Sequence, residues 1–276
     1  MDNIKPTENI QQADFVVMET TYGDRLHREE DPSAVLQDEI NEIERVSGVL
    51  LIPSFSIERA QEILHRINHL KNEKKIEMDT KVFLDSPMSI KATEIFKRFP
   101  ELYNQELVKE NKLDDPFDFP GLVMSVSAEQ SKEILACPAP KVIISGSGMM
   151  SGGRILHHAM NYLADAKTRL LLVGYQAEGT LGSLLLKGEK KVQIYNQEVI
   201  VAASVREIEA MSCHADQGKL LVWLKFIKDV EKIFLTHGED NSRRIIAEKI
   251  SSDLGFKNVV VPKLGELFDF GDLTVV

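Results

Sequence analysis

The 276-residue sequence predicts an α/β protein built on a mostly parallel sheet with helices on both faces. Two observations predict it. Short, continuously apolar runs, the mark of strands buried on both sides, recur along the chain, and amphipathic stretches with helical spacing separate them. A third observation bounds the answer: with 43% hydrophobic and 28% charged residues the composition is that of a soluble globular protein. The length permits one large domain or two smaller ones. No apolar run approaches the roughly 20 residues of a membrane-spanning helix.

The first strand is expected at 14–18 (DFVVM), opening into the polar ETTYGDR. A helix follows, with Asp31 as N-cap, Pro32 at the first helical position, Leu36, Ile40 and Ile43 on one face and Gly48 at its end. GVLLIP (48–53) reads as a second strand, and Ser56 precedes a helix whose Ile57, Ala60, Ile63, Leu64 and Ile67 follow helical spacing. KVFLD (81–85) is strand-like and SIKATEIF (89–96) helix-like. KVIIS (141–145) leads through a glycine-rich loop into the helical pattern around RILHHAMNYL, and LLLV follows at 170–173. Beyond about residue 180 the pattern changes: VQIYNQEVIVAASV alternates as exposed antiparallel strands do, with a turn near Asn196. The chain then returns to helix (LLVWLKFI), strand (KIFLT), helix (RRIIAEKI) and strand (NVVVP). No internal repeat or low-complexity linker interrupts it, so a boundary at about 205 is soft.

The formal charge of -10 argues against the broad nucleic-acid binding that a basic surface provides through counterion release. A nucleic-acid site would have to be local, made from a few placed Arg and Lys residues and backbone amides. Cys137 and Cys213 are too few for a disulfide framework or a zinc ribbon, and read as buried or partly buried thiols in a reducing compartment. MDNIKPTENIQQAD has neither the basic nor the apolar segment of a secretion signal, so a cytoplasmic protein is expected.

Three polar clusters stand at strand ends or turns: METTYGDR (18–25), MSCHADQ (211–217) and LTHGE (235–239). Singly each has a structural reading, since a histidine after a buried strand can be a hydrogen-bonded core residue and a glutamate a cap or surface ion pair. In this order, together with IPSFSIERAQE, LDSPMS, SGSGMMSGGRILHH and GYQAEGTLG, they resemble the beta-CASP nucleases of the metallo-β-lactamase fold, the family of the cleavage and polyadenylation nuclease subunit and of ribonuclease J. The resemblance covers essentially the whole chain. It implies a metallo-β-lactamase strand with motif A at 1–29, a beta-CASP domain at 30–205 and the C-terminal part of the metallo-β-lactamase domain at 206–276. It also implies that Glu19 and His214 form a hydrogen-bonded acid–base pair, that His237 is a zinc ligand, and that RNA is the substrate. A carboxylate on one imidazole nitrogen fixes the tautomer and leaves the other able to protonate a departing 3′-oxygen.

The glycines of SGSGMMSGG allow backbone amides to converge just before a helix, which makes either an anion site or a purely structural tight turn. G-x-G-x-x-x-G does not fit a dinucleotide fingerprint. By the resemblance Ser147, Gly148 and Met149 contact RNA phosphate. Arg59, Arg154, His157 and His158 either line an RNA channel or are ordinary helix-surface residues. Ser183 stands where the family often has Arg, which puts a full set of phosphate contacts in doubt.

The family's HxHxDH motif, which supplies most ligands of its two zinc ions, occurs nowhere in the sequence. His237 alone is too few ligands for catalytic zinc, so the chain by itself is expected to bind metal incompletely, to be nearly inactive, and to need an N-terminal metal-binding lobe. Two other classes stay open: a non-catalytic RNA-binding or scaffolding module, and a hydrolase of the same fold acting on a small phosphodiester or thioester.

Overall fold

The apolar runs fold as strands and the 3.6-residue patterns as helices, in a computed structural model that describes residues 9–112 and 114–269. In chain order the elements are β1 (Phe15–Glu19), α1 (Pro32–Val46), β2 (Val49–Pro53), α2 (Arg59–Asn72), β3 (Lys81–Asp85), α3 (Pro87–Arg98) and α4 (Gln105–Glu110). β4 (Leu122–Met124), α5 (Ala128–Ala136), β5 (Lys141–Ser145), α6 (Ile155–Tyr162), β6 (Arg169–Leu172) and α7 (Leu181–Leu186) follow. Then come β7 (Lys191–Ile194), β8 (Gln197–Ile200), β9 (Ser204–Glu207), α8 (Gln217–Lys225), β10 (Lys232–Thr236), α9 (Asp240–Leu254) and β11 (Val259–Val260). They form two units: one of residues 28–213, and one that joins 9–27 to 214–269. Among the described residues no helix is long and apolar enough to cross a membrane.

The larger unit is a six-stranded, all-parallel sheet of order β4-β3-β5-β2-β6-β9. Strand side chains alternate between faces, and that alternation sorts two cores. Leu50, Ile52, Val82, Leu84, Val142, Ile144 and Leu171 pack with the apolar faces of α1, α2 and α3. Val49, Leu51, Phe83, Ile143, Leu170 and Leu172 pack on the opposite face with α5, α6 and α7. The antiparallel β7–β8 hairpin lies on this second core, turning at Tyr195 (φ 48°) and Asn196 (φ 61°), the paired left-handed residues of a tight hairpin.

Several local expectations shift. The first long helix ends one residue earlier than expected, at Ser47 in the left-handed conformation (φ 52°), not at Gly48. Gly48 immediately precedes β2, and a Cβ there would lie 2.1 Å from the Lys167 carbonyl oxygen. The helix after Ser56 starts at Arg59, following Glu58 (φ 64°), so Ile57 lies outside it. α3 begins two residues early because Ser86 caps it and Pro87 fits the first turn. The segment after the hairpin is not antiparallel: β9 pairs in parallel with β6 as an edge strand of this unit, which runs to residue 213.

The smaller unit is a three-stranded parallel sheet, β1-β10-β11, packed against α8 and α9. Val16 and Met18 of β1 point into that core, whereas Val17 between them is 66% exposed on the other face. β1 comes from one end of the chain and β10 from the other, so this unit closes only when distant segments pair.

Candidate functional site

Parallel pairing of β1 with β10 aligns Glu19 with Thr236, so the two strands deliver Glu-Thr-Thr and Thr-His-Gly to the same edge. Gly238 is required there, because a Cβ would lie 2.6 Å from the Thr20 carbonyl oxygen. His237 takes a left-handed backbone (φ 51°). His214 arrives from a third segment, just before Asp216, whose carboxylate caps α8 at the Lys219 amide and accepts the His27 amide. Glu19, His214 and His237 thus converge in the smaller unit, each offering a ligand atom within 4.8 Å of the others.

Thr21, buried at 3% exposure, organises the group. Its hydroxyl lies 3.2 Å from Nδ1 of His214 and 3.2 Å from Nδ1 of His237, and reaches the His237 carbonyl oxygen at 3.2 Å. A hydroxyl has one proton and two lone pairs. All three contacts are met when it donates to the carbonyl and each ring donates Nδ1–H to it. Both imidazole lone pairs then sit on Nε2. The rings stack, centroids 5.1 Å apart. Glu19 Oε2 lies 3.4 Å from His214 Nδ1 and accepts the Thr21 amide at 2.7 Å. Burial pushes the Glu19 carboxyl up, but the hydrogen bonds from His214 and Thr21 outweigh it and hold the group below the usual carboxylate range.

In the larger unit the glycine-rich loop follows β5 at the carboxyl edge of the sheet. It is closed largely on itself: Ser147 N donates to the Gly152 oxygen, Met150 N to the Ser147 oxygen, Ser151 N to Ser147 Oγ and Ile155 N to the Gly146 oxygen. Gly148 is pressed on Phe55, and its carbonyl accepts Gln176 Nε2 at 3.1 Å. Arg154 is held inward. Its guanidinium donates to Asp85 Oδ1 at 2.8 Å and to the carbonyls of Ser125 and Val126. Asp85, fully buried, also accepts Ser131 Oγ at 2.6 Å and His158 Nε2 at 2.7 Å. Burial raises the Asp85 carboxyl and these donors outweigh it, keeping it ionised.

Of the residues expected at phosphate, two are engaged within the protein. Arg59 is 2% exposed and holds Glu62 and Cys213 Sγ, and Arg154 anchors the loop, so both guanidiniums have internal partners. Cys137 is partly buried, whereas Cys213 is exposed instead of buried or partly buried. His158 is buried on Asp85, while His157 stays exposed, its ring tilted against that of Tyr195.

A family model described as the Beta-Casp domain matches residues 60–185, and one described as the Zn-dependent metallo-hydrolase RNA specificity domain matches 198–262. The chain belongs to the beta-CASP family. It is 34% identical over 267 residues to Ribonuclease TTHA0252 of Thermus thermophilus, covering 92% of this chain and 58% of that protein. It is 32% identical over 236 residues to an RNase J-like protein of Methanocaldococcus jannaschii, covering 84% and 53%. RNase aCSPSF2 of Saccharolobus solfataricus is 30% identical over 267 residues, covering 95% and 50%. The chain spans about half the length of these curated relatives.

The Beta-Casp match contains Asp85, the glycine-rich loop and Arg154, and the RNA specificity match contains His214 and His237. Glu19 precedes both. The second model's description associates zinc with the family. The donor set here, two imidazoles and a carboxylate, is of the type zinc takes, and one of its members, Glu19, is already paired with His214. Sequence reading missed Thr21 and Asp85. The signal for Thr21 lay in the Glu-Thr-Thr motif itself; that for Asp85 was an acidic residue ending a buried strand.

Proposed function

We propose that this beta-CASP chain carries the proton-transfer half of a zinc-dependent RNA hydrolase, with Glu19 and His214 as the acid–base pair and His237 as a zinc ligand. The single observation that supports it best is the hydrogen-bonded Glu19–His214 pair beside His237, fixed by Thr21. Hydrolysis breaks the P–O3′ bond and leaves a 5′-phosphate. His214 gives a proton to the departing 3′-oxygen, and the Glu19 carboxylate compensates the charge of the ring while both its nitrogens are protonated. Zinc, when bound, supplies Lewis-acid polarisation of the phosphate. The chain has no HxHxDH sequence, so His237 must share the ion with ligands beyond Glu19 and His214.

RNA is the favoured substrate because the matched model describes an RNA specificity domain and the relatives named above are ribonucleases. Within the larger unit β2 and β5 are neighbours whose following helices, α2 and α6, lie on opposite faces, the arrangement at which open α/β sheets hold ligands. The glycine-rich loop follows β5, and we assign its Ser147, Gly148 and Met149 to phosphate.

The test is zinc-dependent cleavage of a labelled single-stranded RNA by the chain combined with an HxHxDH-bearing lobe. His214→Ala should lower kcat by about 10²–10⁴-fold with zinc content and RNA affinity kept. Retained cleavage in that variant would remove His214 from the chemistry. RNA binding without any cleavage would favour the scaffolding reading.

A further inference from the structure

The larger unit holds a second cluster of metal-ligating atoms, unconnected with the chemistry proposed above. His65 and His69 stand four residues apart on one face of α2, and Glu110, the last residue of α4, meets them. His65 Nε2 is 2.7 Å from Glu110 Oε2, His69 Nε2 is 3.1 Å from the same oxygen, and the two Nε2 atoms are 3.0 Å apart. The side chains are only partly exposed, at 15%, 44% and 26%.

Protons alone cannot satisfy this triangle. A carboxylate oxygen only accepts, so each histidine must carry Nε2–H to bond it. Two N–H groups then face each other at 3.0 Å with no lone pair between them. If one ring instead donates to the other, the receiving nitrogen turns a lone pair on the carboxylate oxygen. With Glu110 ionised, every arrangement of protons on the two rings leaves at least one of the three contacts repulsive.

A cation at the centre removes the conflict, because all three atoms then offer lone pairs to it. With bonds of about 2.0–2.1 Å, tetrahedral zinc keeps its ligand atoms about 3.3 Å apart. The observed edges of 2.7, 3.1 and 3.0 Å need open by only about 0.2–0.6 Å, within reach of rotamer adjustments by a partly exposed His69 and Glu110. Two imidazole nitrogens exclude a magnesium or calcium site and select a first-row transition ion. Paired histidines at i and i+4 are a known helical solution for zinc.

We propose that His65, His69 and Glu110 bind one zinc ion, with solvent as the fourth ligand, and that the ion clips α4 to α2. The experiment uses the full chain carrying His214→Ala and His237→Ala, so that the other histidine pair cannot contribute. It is stripped with chelator and titrated calorimetrically with zinc ion alone. One zinc per chain is expected, with a rise in the thermal midpoint. His69→Ala and, separately, Glu110→Gln should each weaken binding at least tenfold and abolish the rise. His69 is the most exposed of the three, so that variant should melt like its parent when zinc is absent. If it does not, Glu110→Gln decides. Failure of the doubly substituted parent to bind zinc, or binding unchanged in both variants, overturns the proposal.

Discussion

Thr21 has one hydroxyl proton for three neighbours, and that scarcity dictates the tautomers of both site histidines. Its replacement by valine keeps the volume and removes the shared acceptor. In a long-range nitrogen–proton NMR spectrum the parent should show Nδ1–H forms for His214 and His237, and Thr21→Val should lose that preference at a stability cost of about 1 kcal/mol. An unchanged spectrum would mean that Thr21 does not orient the rings. Asp85 is the opposite case, a carboxylate with donors from Ser131, Arg154 and His158 around it. Asp85→Ala leaves a largely buried guanidinium without its partner and should cost about 3–5 kcal/mol in urea unfolding. Because its folded-state pKa is depressed, the unfolded chain binds more protons in acid. The contribution is complete above the ordinary aspartate range and fades as the pH falls below about 4. Asp85→Asn should flatten that acid limb.

At the scale of elements, close backbone approach explains more than propensity does. Gly48 looked like a helix terminator, yet its place is set by β2 passing the Lys167 carbonyl. Gly48→Ala should therefore destabilise by about 1–3 kcal/mol through displaced backbone, read as a shifted denaturation midpoint. A loss below a few tenths of a kcal/mol would show that the strand yields easily. α5 was missed although its Ser127–Gln130 capping box is written in the chain, because its apolar stripe is short and only Ile134 is buried. β4 was missed for a related reason: a three-residue edge strand has too little alternation to read. The long buried strands were legible because each must fill two cores at once.

At the scale of the molecule, each unit buries its own core. The two clusters of the larger unit draw on residues between 35 and 211, and the cluster of the smaller draws only on its two end segments. A polypeptide of residues 28–213 should accordingly fold cooperatively, with a single melting transition by circular dichroism. Deleting the segment through residue 27 should unfold the smaller unit, since Val16 and Met18 leave its core. A molten 28–213 fragment would show that the larger core does not suffice.

Periodicity and turn chemistry are local properties, so the sequence by itself determined the parallel α/β class, most strand positions and, through three short motifs, the residues of the candidate site. Side-chain availability is not local. Whether Arg59 and Arg154 face a ligand or a buried acid, whether Thr21 bridges two rings, and whether a glutamate 41 residues beyond His69 closes a metal triangle depend on which segments pack together. Only the tertiary structure decided those, because the free energy of a polar group is set by the partners folding places around it.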